Sequence, residues 1–208
     1  METVQRSSVR PAEIRELPIV AGHLALDFAN TVDDPLGPER FDHVIDYAGL
    51  LGWASRIGVV PDVTALRQAA AEQPRRAAAA VRRGAELRDA LNEVFGALVD
   101  RTSPEDGWAR LRPFVSTAIQ QATLSPGSQP APAWEFTDLE SPLWPVAESA
   151  YSLLNSPLTS KLKRCAGCPW LFLDQSRNGS RRWCSMELCG TAQKIDRYVA
   201  KRAARPKR

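Results

Sequence analysis

The first 164 residues of this 208-residue chain contain no cysteine, and no part of the chain has a long apolar run. A membrane-spanning helix needs about 18 or more consecutive apolar residues, and the sequence has no such stretch. The N-terminal residues are interrupted by charges and prolines, unlike the continuous apolar segment of a signal peptide. These absences predict an intracellular protein without a membrane segment, in a cytoplasm that keeps thiols reduced.

Catalytic signatures are missing as well. The sequence has no G-x-S-x-G nucleophile elbow, no phosphate-binding P-loop, no H-E-x-x-H zinc motif and no dinucleotide-binding glycine pattern. Only two histidines are present, and His23 has no partner pattern around it. We therefore expect that the protein is not an enzyme, with an unrecognised carboxylate site around Asp27 as the open alternative.

Charge is distributed unevenly along the chain. From Lys161 to Arg208 there are 13 lysines and arginines against three acidic residues, whereas residues 1–160 carry 14 basic and 21 acidic residues. A basic segment attached to an acidic body indicates an anionic partner. A solvated basic end without any partner is the alternative.

Apolar periodicity and turn residues predict the coarse organisation. Residues 1–20 form a flexible leader, residues 21–160 a mostly helical domain with a small antiparallel β-hairpin, and residues 161–208 a small basic module. The predicted fold class is therefore α+β.

Helices account for most of the larger domain. Residues 41–60 and 61–100 show helical patterns, and Pro74 splits the second because proline removes a helix hydrogen bond. Residues 23–32 fit a helix or a strand equally well, since their apolar positions match both periods. The arginines of the second helix are expected to face solvent. The residues predicted to face the core are Tyr47, Leu50, Leu51, Ala54, Val81, Leu87, Leu91, Val94, Phe95 and Leu98.

A hairpin and a further helix complete this domain. Residues 116–124 and 132–139 show strand-like patterns on either side of the turn-rich loop SPGSQPA. Ser141 is positioned as the N-cap of the next helix. The residues of that helix predicted to face inward are Leu143, Ala147, Tyr151 and Leu154.

All four cysteines, Cys165, Cys168, Cys184 and Cys189, lie in the window RCAGCPWLFLDQSRNGSRRWCSMELCG. The spacing is C-x2-C, then 15 residues, then C-x4-C. A tight C-x2-C turn presents two thiolates to one ion, and a second pair completes a tetrahedral shell of four sulfurs. A catalytic zinc keeps an open position, so a filled shell predicts one structural Zn2+.

Other uses of four cysteines fit less well or stay open. Disulfides do not suit the expected compartment. A redox C-x2-C lacks its βαβ context here. An iron–sulfur cluster also takes four cysteines, and spacing alone does not separate it from zinc.

The residues around the cysteine pairs predict a treble-clef-like module of a β-hairpin and a helix. WLFLD and SRRWC read as short strands joined by an Asn-Gly turn, the strongest short-range hairpin signal. Ser185 is placed to cap a helix from Met186 to about Ala203 that carries Cys189. The positive end of the helix dipole would help to stabilise that thiolate.

Basic residues surround the predicted metal site. A basic helix fixed by a zinc hairpin suits a DNA groove, where phosphate contacts give salt-dependent affinity. RNA or an acidic protein would be attracted by the same charges. The residues predicted to contact nucleic acid are Arg177, Arg181 and Arg182 on the hairpin, and Lys194, Arg197, Lys201 and Arg202 on one face of the helix.

Asp27 and Asn30 interrupt an apolar segment of the larger domain, within HLALDFANT. Their side chains are placed to project together into a pocket, which predicts a small-molecule ligand. The alternative is that the pair closes a local hydrogen-bond network or caps a turn.

The cysteine window resembles the CGNR zinc finger, through C-x2-C, WLFLD, SRNGSRRWCSM and the closing CG. Upstream, LALDFANT, DYAGLLGW, ELRDAL and LWPVAESAYSLL resemble the ABATE domain of stress-induced transcription regulators. The two resemblances together cover nearly the whole chain beyond about residue 20. They imply zinc binding by the four cysteines and a bacterial DNA-binding regulator, cytoplasmic and associated with the nucleoid, whose N-terminal domain senses a ligand.

One departure from the family pattern concerns the basic surface. Where the name motif reads Cys-Gly-Asn-Arg, this chain has Cys189-Gly190-Thr191-Ala192. The zinc ligands are unchanged. An amide and a guanidinium are missing, which predicts altered or weaker DNA binding if those groups contact DNA in the family.

The leading hypothesis is a transcription regulator that joins a ligand-sensing helical domain to a zinc-stabilised, DNA-binding module. A homodimer would match palindromic DNA. The main alternative is an adaptor whose zinc finger binds an acidic protein or RNA without reading a DNA sequence. Such an adaptor is expected to bind duplex DNA only as strongly as its charge provides.

Overall fold

The computed structural model describes residues 17–35, 37–126, 128–191, 194 and 195. Its helices are α1 (Leu24–Ala29), α2 (Tyr47–Arg56), α3 (Thr64–Glu72), α4 (Pro74–Asp100), α5 (Glu105–Gln121) and α6 (Trp144–Leu154). Its strands form the antiparallel pairs β1 (Val32–Asp33) with β2 (Phe41–Asp42), β3 (Thr123–Leu124) with β4 (Pro132–Ala133), and β5 (Leu162–Arg164) with β6 (Leu171–Leu173). The predicted α+β class is confirmed. None of the described helices combines the length and apolar character needed to cross a lipid bilayer.

Helix α2 is shorter than the predicted span of 41–60 but has the predicted inward face. The Asp46 carboxylate accepts a hydrogen bond from the Gly49 N–H (2.7 Å) and so fixes the start of the helix. Residues before that cap pair as strand β2 instead. The helix ends at Arg56, and Gly58 follows with φ of 75°, a conformation that glycine adopts at little cost. All four residues predicted to face the core are buried.

The break predicted at Pro74 is confirmed, since α3 ends at Glu72 and α4 begins at the proline. The stripe predicted for α4 faces the core, and Leu87, Leu91 and Phe95 are fully buried. One arginine contradicts the expected solvent-facing set, because Arg88 is only 1% exposed. Its guanidinium forms a bidentate ion pair with Asp42 of β2, which compensates the charge that is removed from water.

Helix α5 was not predicted, and it replaces much of the predicted hairpin. Residues 116–121, read as a strand, are its last turns, and only β3 and β4 remain as a two-residue pair. Leu111, Phe114, Val115 and Ala118 form a buried stripe at helical spacing. A helical stripe therefore overrides the short strand-like alternation, in spite of an internal proline at position 113.

Helix α6 forms as predicted, and of the residues predicted to face inward Leu143 and Ala147 are buried, whereas Tyr151 is not. Tyr151 is 42% exposed, whereas Val146, Ala150 and Leu153 are buried. Ser141 begins a 3-10 turn that precedes the helix, and its hydroxyl donates to the Asp138 carbonyl instead of capping a helix N–H.

The two predicted domains share one hydrophobic core in the described residues. Phe28 of α1 and Trp53 of α2 pack with ring centroids 4.8 Å apart at its centre. Strand β6 belongs to the same cluster, and its Leu171 and Phe172 are fully buried. The C-terminal module is therefore packed into the helical domain.

Part of the predicted leader also contacts this core. Leu17 is only 1% exposed, and its carbonyl accepts a hydrogen bond from the Arg56 guanidinium (2.5 Å). Val20 packs against the same cluster. Residues 1–16 of the predicted leader lie outside the described residues.

Candidate metal centre and basic surface

The four cysteines converge on one point at the edge of the core. Their Sγ atoms all lie within 4.8 Å of one another. Cys168 Sγ lies 3.6 Å from Cys184 Sγ, which lies 3.7 Å from Cys189 Sγ. These separations are far longer than the roughly 2.05 Å of a disulfide bond, and all four thiols are free.

The sulfur geometry fits a zinc ion. A tetrahedral Zn2+ with Zn–S bonds of about 2.3 Å places its sulfurs roughly 3.8 Å apart, close to the observed separations. Hydrogen bonds to Cys168, Cys184 and Cys189 lower the pKa of the Cys165 thiol, and the Cys184 N–H adds to this effect. The neighbouring thiols and burial raise the pKa of Cys168 and of Cys184. The sulfur spacing therefore carries the case for the predicted single structural zinc, which binds its ligands as thiolates.

The first two ligands lie on the turn between β5 and β6. Cys165 Sγ accepts hydrogen bonds from the N–H groups of Gly167 (3.3 Å), within the same turn, and Cys184 (3.2 Å), which joins the two cysteine-bearing segments. A Cβ atom at Gly167 would lie 3.0 Å from the Cys189 Cβ. A side chain at this position would therefore press on the fourth ligand where it approaches the turn.

The predicted pairing of WLFLD with SRRWC is wrong. Strand β6 pairs with β5, and its Leu173 N–H donates to the Ala21 carbonyl on the helical side (2.9 Å). One edge of β6 is thus paired with β5 and the other contacts the helical domain, so no edge is left for SRRWC to pair with. That segment contacts the metal-binding turn through the Arg182 carbonyl, which accepts from the Ala166 N–H (2.9 Å), and through the Cys184 N–H, which donates to Cys165 Sγ.

The predicted Asn-Gly turn forms one residue earlier in the chain, because the Gly179 N–H donates to the Ser176 carbonyl (3.2 Å) and Gly179, but not Asn178, has a positive φ. Asp174 closes this turn. Its carboxylate accepts hydrogen bonds from the Ser176 hydroxyl (2.5 Å) and the Arg181 N–H (2.8 Å), and it pairs with Lys163 of β5 (2.6 Å). Lys163 and then Ser176 hold the pKa of this carboxyl well below its usual range. Since an Asp followed by small polar residues favours such turns, the motif DQSRNG carried this signal.

The fourth ligand lies on a short helical turn, as predicted. The Ser185 hydroxyl accepts a hydrogen bond from the Leu188 N–H (3.3 Å) and so caps the π-helical segment Met186–Gly190. Thr191, which stands at the Asn position of the family motif, donates its hydroxyl to the Met186 carbonyl (3.0 Å). Ala192 and the predicted helix beyond residue 195 lie outside the described residues.

The two residues predicted to bind a ligand contact protein backbone instead. Asp27 Oδ1 accepts hydrogen bonds from the N–H groups of Val20 (3.1 Å) and Ala21 (2.9 Å). Burial raises the pKa of its carboxyl, and these donors partly offset that effect. The Asn30 amide donates to the Leu171 carbonyl (2.9 Å) and accepts from the Leu171 N–H (3.0 Å). These contacts fit the alternative in which Asp27 and Asn30 close a hydrogen-bond network of the fold. Ligand binding by this pair stays a prediction.

A further polar link joins the helical domain to the metal-binding turn. The Trp170 indole N–H donates to Asp33 Oδ1 (2.8 Å), and Asp33 Oδ2 lies 3.1 Å from His43 Nε2. Arg164 pairs with Asp100 at the end of α4 (2.8 Å). These partners are separated by 137 and 64 residues, so no local pattern in the sequence identified them.

The predicted nucleic-acid residues divide into two groups. Arg177, Arg182 and Lys194 are exposed, and Arg182 lies over the Trp183 ring at 5.5 Å. Arg181 is held within the fold, because its guanidinium donates to the carbonyls of Trp183 (2.8 Å) and Cys184 and covers the Phe172 ring. The remaining predicted residues, Arg197, Lys201 and Arg202, lie outside the described residues.

A four-cysteine centre attached to a helical domain defines a zinc-finger protein. In this protein the finger and the helical domain share one hydrophobic core. The CGNR zinc finger model matches residues 161–202. The ABATE model, described as "Putative stress-induced transcription regulator", matches residues 22–157. The chain therefore belongs to the ABATE family and carries a CGNR zinc finger. No curated protein matches it.

Proposed function

We propose that the protein is a bacterial transcription regulator that binds duplex DNA through its zinc finger and senses a ligand through its helical domain. It would act as a regulator without catalytic activity, in the cytoplasm at the nucleoid, where reduced thiols favour metal binding. A homodimer would double the DNA contacts at a palindromic site.

The observation that carries the proposal is a set of free positive charges beside the metal centre. The exposed cations of the finger form no ion pair with any other described residue. The three partly buried ones differ, since Lys163 pairs with Asp174 and Arg164 pairs with Asp100. The third, Arg181, donates to backbone carbonyls within the fold. A surface with uncompensated cations suits phosphate groups. The free cations are Lys161, Arg177, Arg182 and Lys194.

Duplex binding by the zinc-loaded full chain tests the proposal. Fluorescence anisotropy with pooled genomic duplex fragments, measured across a salt series, should show binding that selects particular fragments and persists at physiological salt. The double variant Arg177→Ala/Arg182→Ala should lower the slope of log K against log salt by about 0.9 for each phosphate that is no longer neutralised. Arg75 of helix α4 is exposed and forms no ion pair with any described residue. The control variant Arg75→Ala should therefore leave that slope unchanged.

The same titration separates the regulator from the adaptor. Binding that fades uniformly with salt, with no fragment preferred, would favour an adaptor for an acidic protein or RNA. An unchanged slope in the double variant, or an equal reduction in Arg75→Ala, would place the phosphate contacts elsewhere on the protein and would contradict the proposed surface.

A further inference from the structure

An open groove on the helical domain lies apart from the metal centre and from the Asp27–Asn30 pair. It lies among helices α2, α3 and the first turns of α4, with a volume of about 610 Å³. Small-molecule sites range from roughly 300 to 1,000 Å³ and are mostly apolar, with a few polar groups that orient the ligand. The groove is of this size and kind.

Alanines create the groove. Helix α3 contributes Ala70 and Ala71, and helix α4 contributes Ala77 and Ala78, from the alanine cluster at residues 77–80. The break at Gln73 separates the two helices, and both of these short-side-chain faces line the groove. Larger side chains at these positions would fill the space between the helices. Tyr47 and Leu51 of α2 provide the apolar wall opposite.

Two arginines give the groove its charge. Arg67 of α3 and Arg82 of α4 line it, and neither guanidinium has a partner among the described residues. Neighbouring arginines of α4 are paired, Arg76 with Asp138 (3.0 Å) and Arg83 with Glu86 (2.5 Å). The acidic lining residue, Asp46, is already engaged as the cap of α2. Uncompensated guanidinium groups beside an apolar surface complement a molecule with an anionic head and an apolar body.

We propose that this groove binds an amphipathic organic anion, such as a medium-chain carboxylate, as the ligand of the helical domain. The apolar part lies over the alanines and the Tyr47 ring, and the carboxylate contacts Arg67 and Arg82. The inference rests on the proposed function in one respect, that this domain senses a ligand. Occupancy of the groove does not depend on DNA binding.

Isothermal titration calorimetry of the full zinc-loaded chain with decanoate tests the site, below the concentration at which decanoate aggregates. We expect one molecule of decanoate to bind per chain, and decyltrimethylammonium, with the same chain length and the opposite charge, to bind at least about tenfold more weakly. Absence of decanoate binding, or equal binding of the cation, would overturn the proposal.

Matched variants locate the bound molecule. Ala78→Trp places a large side chain in the groove at an exposed position and should abolish decanoate binding, whereas Ala65→Trp, exposed on α3 outside the groove, should not. Arg67→Ala/Arg82→Ala should weaken decanoate binding by about tenfold or more, as expected when charge-assisted hydrogen bonds are removed. Arg75→Ala should have no effect. Equal binding by Ala78→Trp and Ala65→Trp would show that decanoate lies elsewhere.

The ligand site and the DNA-binding function fail in different ways. Suppose decanoate binding responds to the groove variants but the protein selects no DNA fragment. This result would support the groove as a ligand site and contradict the proposal that the protein is a DNA-binding regulator. Selective DNA binding without decanoate binding would support the regulator and overturn the groove proposal.

Discussion

Replacing Cys165 with serine is expected to destabilise the whole protein, beyond the finger alone. Structural zinc contributes an apparent 10–16 kcal/mol in isolated finger peptides, which is comparable with the total stability of about 5–15 kcal/mol of a typical domain. Here the cysteine-bearing turn joins β5 to β6, and β6 is part of the central core. We therefore expect the thermal midpoint to fall by at least about 10 °C, since each kcal/mol shifts it by roughly 2–4 °C in a chain of this size.

Thermal denaturation followed by far-UV circular dichroism measures this effect, and elemental analysis measures the zinc content. Thr191→Ala is the matched control, because Thr191 is exposed next to the metal-bearing turn and, among the described residues, its hydroxyl makes one hydrogen bond, to the Met186 carbonyl. Thr191→Ala should lower the free energy of unfolding by only about 1 kcal/mol. If Cys165→Ser does not accumulate as a folded protein, chelation of zinc from the wild-type protein should lower the midpoint similarly. A wild-type midpoint after complete zinc removal would contradict the expectation.

The second large effect concerns the buried ion pair between Arg88 and Asp42. Asp42→Asn keeps the shape of the side chain but leaves the guanidinium, which is 1% exposed, without its counter-charge. Breaking a buried pair on one side typically costs 3–5 kcal/mol. The Asp42 side chain is 30% exposed, so water relieves part of this cost, and we expect a loss near the lower end, about 3 kcal/mol.

Urea unfolding of three variants separates the pair from ordinary surface charge. Asp89→Asn breaks the more exposed pair with Arg40 and should cost less than about 1 kcal/mol. The double variant Arg88→Met/Asp42→Asn removes the stranded charge and should be more stable than Asp42→Asn alone. If Asp42→Asn costs no more than Asp89→Asn, the ion pair does not hold β2 against α4 as the contacts indicate.

Local features of the fold were predictable from the sequence where a residue type, such as proline or cysteine, acts in one main way on the structure. The break at Pro74 follows from a short sequence pattern, whereas the Asp46 cap, which shortens α2 from the predicted span of 41–60, was not predicted. Cysteine spacing predicted the metal ligands, because few other arrangements bring four thiols to one ion. Helix α5 was missed because its stripe is visible only when residues before 116 are included in the window.

Contacts between distant segments could not be predicted from one sequence. Asn30 sits 141 residues before Leu171 along the chain, and its amide completes the hydrogen bonding of a buried strand. The composition of HLALDFANT marks Asn30 as unusual in an apolar segment but does not identify its partner. The same holds for Arg88, whose position in a charged helix suggested solvent exposure. In both cases the partner group, brought close by the tertiary fold, decides what the polar residue does.

We expect the metal centre and the helical domain to unfold as one cooperative unit, and a single thermal scan that follows both can show whether they do. The full zinc-loaded chain is heated while ellipticity at 222 nm reports the helices and a chromogenic chelator reports zinc release. Because β6 connects the cysteine-bearing turn to the core, the two transitions should share one midpoint. Zinc release that is complete while the helical signal remains at its native value would show that the finger unfolds independently, and would contradict this account.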